Sequence, residues 1–193
     1  MKTAAIVMLV VILLAVSGCG KQENSAKEKE QPQVSQTAPA PPSIGLHAAA
    51  AQGNLEAIRQ HIKAGSDLNV RDPEGGACPL STAALYGQTE VAMALIEAGA
   101  DVNFRGNDGA TPLHVAAFFC RTEIVKALLD IGADTNIRNN YGSTPLETVT
   151  VPFDKAKGIY DHFGALLAPT GLKLDYERIE KTRPKIAEML RST

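Results

Sequence analysis

The sequence predicts an all-α solenoid, a stack of short helix–turn–helix units joined by hairpin loops, and three observations predict it. Thr111-Pro112-Leu113-His114 returns as Thr144-Pro145-Leu146-Glu147 and is preceded by Cys78-Pro79-Leu80-Ser81, at offsets of 33 and 33. A second landmark keeps step with the first: Gly65-Ser66-Asp67-Leu68-Asn69, Gly99-Ala100-Asp101-Val102-Asn103 and Gly132-Ala133-Asp134-Thr135-Asn136, at offsets of 34 and 33. Between the landmarks, Val91, Leu95 and Ile96, and again Ile124, Val125, Leu128 and Leu129, have the spacing of one buried helix face. A fixed period of this length marks units that bury their apolar faces only against their neighbours.

Each element has a physical reason. Thr followed by Pro at 111–112 and 144–145 supplies a capping hydroxyl and a residue whose φ already suits a first helical turn. The small pairs Ala83-Ala84 and Ala116-Ala117 let adjacent helices approach closely, and Gly53 and Gly87 suit the left-handed conformation that ends a first helix. One unit upstream, Leu46-His47-Ala48-Ala49-Ala50 matches Leu80-Ser81-Thr82-Ala83-Ala84 at an offset of 34, the extra residue falling in the Gly75-Gly76 turn. The fourth unit departs from the pattern. Thr148-Val149-Thr150-Val151-Pro152 replaces the Ala-Ala segment, and about five residues are added before Leu166-Leu167, which take the place of the second helix's apolar pair. Gly171-Leu172-Lys173-Leu174-Asp175 repeats the loop, and 183–190 resembles a final second helix. The expected units are 45–77, 78–110, 111–143 and 144–174, with 175–193 a degenerate fifth unit capping the stack by a more polar outer face.

From about 45 to 175 these residues resemble the ankyrin repeat: a TPLH-type helix start, an Ala-Ala pair, a Gly turn, a second helix and a Gly-Ala-Asp-x-Asn loop. The resemblance implies an ankyrin-repeat solenoid with β-hairpin loops over 44–193, and it implies protein binding. In that family the variable positions are the hairpin tips and the two residues after the Ala-Ala pair. Here those pairs are Ala51-Gln52, Leu85-Tyr86, Phe118-Phe119 and Val151-Pro152. Leu85, Tyr86, Phe118 and Phe119 are therefore expected to line an apolar concave groove with aromatic anchors, which dominate interface energetics. The tips add a mixed-charge rim for orientation: Arg71, Asp72, Glu74, Phe104, Arg105, Asn107, Asp108, Arg138, Asn139, Asn140 and Tyr141.

The segment before the repeats has a different character. Lys2 and the thirteen-residue apolar run Ala4–Val16 have the layout of a secretory signal, and the run is shorter than the roughly 20 residues a helix needs to span a bilayer. Val16-Ser17-Gly18-Cys19 resembles the bacterial lipobox, which implies that 1–18 is removed and Cys19 carries the acyl chains of a membrane anchor. Gly20 after the cysteine, where aspartate favours inner-membrane retention in sorted lipoproteins, implies the outer membrane facing the periplasm. Residues 19–43, rich in Gln, Glu, Lys, Ala and Pro and ending in Ala38-Pro39-Ala40-Pro41-Pro42, hold too little apolar surface to fold. They form a tether with a reach of about 25–30 Å.

Composition narrows the partner. Lys and Arg number 19 against 21 Asp and Glu, and removal of 1–18 takes one Lys and no acid, leaving 18 against 21 and a formal charge of −3. Nothing in this balance attracts a nucleic-acid backbone. His47 and His114 share a repeat position but are separated by a unit carrying Ser81, so they make no metal pair, and His61 and His162 have no spaced partner. In the ankyrin family the histidine at this position hydrogen-bonds the neighbouring turn. Cys78 opens one repeat and Cys120 closes the first helix of the next, too far apart for a disulfide if the helices have normal length. Both are expected to be buried inert thiols, with Arg121 drawing the pKa of Cys120 down. No phosphate loop, nucleophile–base pair or paired carboxylates can be assembled. The sequence predicts a monomeric, cofactor-free, non-enzymatic adaptor, inhibitor, protective or immunity-type protein that binds another protein. A structural envelope spacer without a specific partner is the alternative.

Overall fold

The computed structural model describes residues 39–193. The apolar run, Cys19 and the tether up to 38 lie outside the described residues. Nine α-helices are present among those described: α1 (Leu46–Gln52), α2 (Leu55–Lys63), α3 (Pro79–Tyr86), α4 (Thr89–Glu97), α5 (Pro112–Phe118), α6 (Thr122–Asp130), α7 (Pro145–Thr150), α8 (Phe153–Leu167) and α9 (Tyr176–Arg191). A single 3-10 turn, Ala168–Thr170, follows α8.

The capping chemistry matches the sequence. Thr111 and Thr144 accept from the backbone N–H of His114 and Glu147, whose side chains reach back to the capping residues' own N–H groups. These are reciprocal caps that each remove two orphan donors. Cys78 serves the same purpose with a thiol, its Sγ accepting from Ser81 N at 3.4 Å. Gly53 and Gly87 adopt φ of +70° and +73° and close α1 and α3. The equivalent place after α5 falls to Cys120, the only non-glycine at positive φ among the described residues, at +53°. That conformation is uncommon for a side chain-bearing residue.

The core is one continuous layer between first and second helices. Ala49, Ala50, Ala83, Ala84, Ala116 and Ala117 are fully buried, as are Ile58, Leu80, Leu95, Leu113, Ile124, Val125 and Leu128. Leu129 is only half-buried. Between units the Gly-Ala-Asp-x-Asn loops form a ladder. Asn69 Oδ1 accepts from Asp101 N at 2.8 Å, and Asn103 Oδ1 from Asp134 N at 2.9 Å. The hairpin loops close through two backbone bonds each, Asp72 N to Ala77 O with Gly76 N to Asp72 O, Gly106 N to Ala110 O with Gly109 N to Gly106 O, and Asn139 N to Ser143 O with Gly142 N to Asn139 O. These bonds stay within the turns, and no strand forms among the described residues.

The C-terminal third corrects the expected unit boundaries. Second helices stack in the order α2, α4, α6 and then α9, and α9 also pairs with α7 just as α6 pairs with α5. The fourth repeat is therefore α7 plus α9, and 151–175, with α8 inside it, is an insertion between its two helices. Residues 176–191 are thus the second helix of the fourth unit rather than a fifth. The stripe explains the choice: Ile179, Arg183, Ile186, Ala187 and Leu190 give α9 a continuous buried face, whereas α8 buries only Ala156 and Tyr160. Leu166, expected at the core position of a second helix, is 61% exposed.

Candidate functional site

The ends of the first helices, where a partner-binding face was expected, are organised by a row of side chains from the turns. Gln88 Nε2 donates to Ala51 O at 3.0 Å, and Arg121 Nη2 to Leu85 O at 2.8 Å. Arg178, at the start of α9, gives the third repeat the same service, donating to Cys120 O at 3.0 Å and Phe119 O at 3.4 Å. Each cation or amide satisfies carbonyls left open at a helix C-terminus, where positive charge is also favoured by the helix dipole. The first two pairs are 37 and 36 residues apart and the Arg178–Phe119 pair is 59, so the insertion accounts for about 23 residues (59 less 36).

The insertion changes what the third repeat offers. Phe118 stacks on Tyr160 of α8 with ring centroids 4.3 Å apart, and Phe163 sits edge-on to both Phe118 and Phe119, at 5.6 and 5.7 Å. Phe119 is 4% exposed. The open groove expected over Phe118 and Phe119 is thus filled by the protein's own helix: Phe119 is a core residue and Phe118 is half-buried beneath Tyr160. The two aromatic faces make a better-packed pair than either makes with water. Leu85 and Tyr86 on the neighbouring repeat remain half-exposed, and Gln52 is exposed.

A buried polar lock fixes α8 in place. Tyr160 is fully buried, donates its hydroxyl proton to Phe118 O at 2.7 Å and accepts from Arg183 Nη1 at 2.7 Å. Arg183 is itself 3% exposed, and its other terminal nitrogen donates to Val151 O at the start of the insertion. One guanidinium therefore ties α9 to both the entrance and the middle of the inserted segment. Burial pushes the Tyr160 phenol up to about 12 despite the Arg183 charge. The sequence reading missed Tyr160, Phe163, Arg178 and Arg183. Two aromatics three residues apart before a Gly-rich turn were the available signal, but nothing in the period shows which helix they face.

The thiols are free and buried. Burial raises both, Cys120 to about 11, outweighing the neighbouring Arg183, Arg178 and Arg121. Arg121 does draw the Cys120 pKa down, as the sequence suggests, but desolvation of a thiolate costs more than nearby charges return, and the net shift is upward. His114 Nε2 lies 2.9 Å from Ser143 O in the next unit's loop, and burial holds this imidazole below its ordinary range. His47 spans to Val70 O and to Thr82. His61 lies between Ile44 O and Ser66, and His162 is exposed.

The hairpin tips divide into bonded and open residues. Arg71 lies 4.5 Å above the half-buried Phe104 ring and donates to Gly76 O. Arg105 donates to Arg138 O at 2.9 Å, and Asn140 reaches both Asn107 O and Asp108 O, knitting adjacent tips together. Arg138 pairs with Glu147 at 2.7 Å. Asp72 and Asp108 cap their own turns, accepting from Gly75 N and Ala110 N, and Asn139 accepts from Tyr141 N and Ser143 N. Glu74 is exposed and Tyr141 is 82% exposed, the barest large hydrophobic side chain among the described residues.

Stacked helix–turn–helix units of this length, capped by Thr-Pro and joined by Asn ladders, define a repeat protein whose surface rather than a cavity is available for function. A family model of ankyrin repeats, in three copies, matches residues 46–147, more than half of the 193, and the chain belongs to the ankyrin-repeat family. Members of that family are generally protein–protein interaction modules and typically not enzymes. No curated relative matches the chain.

Proposed function

We propose that this protein is a lipid-anchored adaptor or inhibitor of the bacterial envelope, holding one protein partner on the face made by Leu85, Tyr86 and the hairpin tips, with Tyr141 as its outermost anchor. The observation that carries the reading is the contrast along that face. In the third repeat Phe119 is buried and Phe118 is stacked under α8, whereas Leu85 and Tyr86 of the neighbouring repeat are half-buried with no such helix over them and Tyr141 is 82% exposed. Aromatic residues held on a rigid scaffold present large contact area at little entropic cost, which is where hot spots concentrate. The lipobox resemblance at Cys19 supports an anchor at the outer membrane facing the periplasm.

The test is an affinity pull-down from native membranes with the wild-type lipoprotein beside a Leu85→Ser, Tyr141→Ala variant, thermal melts verifying that both fold. Phe118 is unsuited to this variant because its ring stacks on Tyr160. A protein retained only by the wild type supports the face. Equal recovery from both, or none, favours an envelope spacer, for which Cys19→Ser alone abolishes the phenotype.

A further inference from the structure

Residues 162–172, His162-Phe163-Gly164-Ala165-Leu166-Leu167-Ala168-Pro169-Thr170-Gly171-Leu172, contain no Asp, Glu, Lys or Arg. Of the other uncharged runs, 75–89 and 109–120 carry buried core residues of the stack, as solenoid packing requires, whereas 39–45, in the run 31–55, and 139–144, in the run 139–146, are exposed or half-buried. In 162–172 no residue is buried. Leu166 is 61% exposed and Ile159, two turns earlier on the same helix face, is 51% exposed. The projection is nonetheless held firmly, since the Tyr160–Arg183 lock fixes the helix that carries it. An uncharged apolar tip on a fixed support marks a contact surface.

We propose that this tip, Ile159 and Leu166 with the turn Ala168–Gly171, contacts the bilayer to which Cys19 is attached. The inference rests on the lipid-anchor reading above. The chemistry favours lipid over a protein partner, because Leu166 and the turn Ala168–Gly171 offer aliphatic and small residues without the charged groups that give protein interfaces their orientation, the nearest charges being Lys157 and Asp161 beside Ile159. The tether favours it too. On the anchor reading the tip and Cys19 belong to one chain, so the encounter is intramolecular, at an effective concentration on the order of millimolar. A few aliphatic side chains bind a bilayer more weakly than a single acyl chain, itself reversible, and the shared chain raises the bound fraction.

The chain contains no Trp, so Leu166→Trp introduces a single indole whose emission is excited apart from the tyrosines. The chain from Cys19 onward is coupled through that thiol to maleimide lipid in vesicles of phosphatidylethanolamine and phosphatidylglycerol, Cys78 and Cys120 being buried. The Leu166→Trp emission then shifts to the blue and is quenched by brominated acyl chains, and adding Ile159→Gln weakens both effects. Ile131→Trp, at the end of α6 and 51% exposed before substitution, stays water-like. Emission from Leu166→Trp that is unchanged on vesicles overturns the proposal. So does a blue shift that appears without lipid and grows with protein concentration, which assigns the tip to a second copy. Mass spectrometry of the cell-derived N-terminus tests acylation separately. Its absence removes the anchor reading while the chemically tethered chain still decides whether the tip meets lipid.

Discussion

Replacing Tyr160 by Phe removes one oxygen and leaves the ring stack with Phe118 in place. Two bonds are lost, the one to Phe118 O and the one from Arg183 Nη1, both 2.7 Å long. The first is a neutral bond with a net contribution of about 1 kcal/mol; the second is charge-assisted and contributes about 1.5–3 kcal/mol. No carboxylate lies within salt-bridge distance of Arg183 among the described residues, so its remaining protein partner is Val151 O. The expected loss is about 2–4 kcal/mol, lowering the melting temperature by about 5–15 °C for a domain of this size. Urea unfolding followed by far-ultraviolet circular dichroism measures it, with Tyr141→Phe as a control expected to change stability by less than about 0.5 kcal/mol. A Tyr160→Phe cost no greater than that of the control refutes the lock, and with it the claim that α8 is a fixed part of the stack.

The pH dependence follows from two buried groups. Cys120 titrates at about 11 in the folded protein against an ordinary 9.0, so the folded state holds its proton longer than the unfolded chain. Stability present below the ordinary value is lost as pH rises from there through about 11, and Cys120→Ala flattens that part of a urea-midpoint profile. His114 is shifted the other way, below its ordinary 6.5, so its contribution is present above that value and declines as pH falls below it. Midpoints measured between about pH 6.5 and pH 5 fall less in His114→Asn than in the wild type. Alkylation of Cys78 and Cys120 proceeds only at the rate of unfolding, because both thiols are buried; labelling kinetics that rise with urea check this.

The repeats were legible because their chemistry is local. Thr111-Pro112 and Thr144-Pro145 state where helices begin, Gly87 where one ends, and Asp101 and Asn103 where units join. Each signal lies within a few residues of the bond it makes. The insertion was not legible because its meaning is non-local. Leu166-Leu167 mimics the apolar pair of a second helix, and only the packing of α9 on both α6 and α7 shows that the true second helix lies later in the chain. The groove residues failed for the same reason. Phe118 and Phe119 occupy positions that are open in a regular repeat, and what covers them comes from more than 40 residues downstream.

The central claim is that the face carrying Leu85 and Tyr141 binds a protein. Its most direct test is a photo-crosslinking amino acid placed singly at Leu85, Tyr141 and, on the outer helices, Met93 in the full-length lipoprotein in cells. The account predicts one shared adduct from Leu85 and Tyr141 and none from Met93. Adducts equally spread over the three positions, or absent from the first two, contradict it.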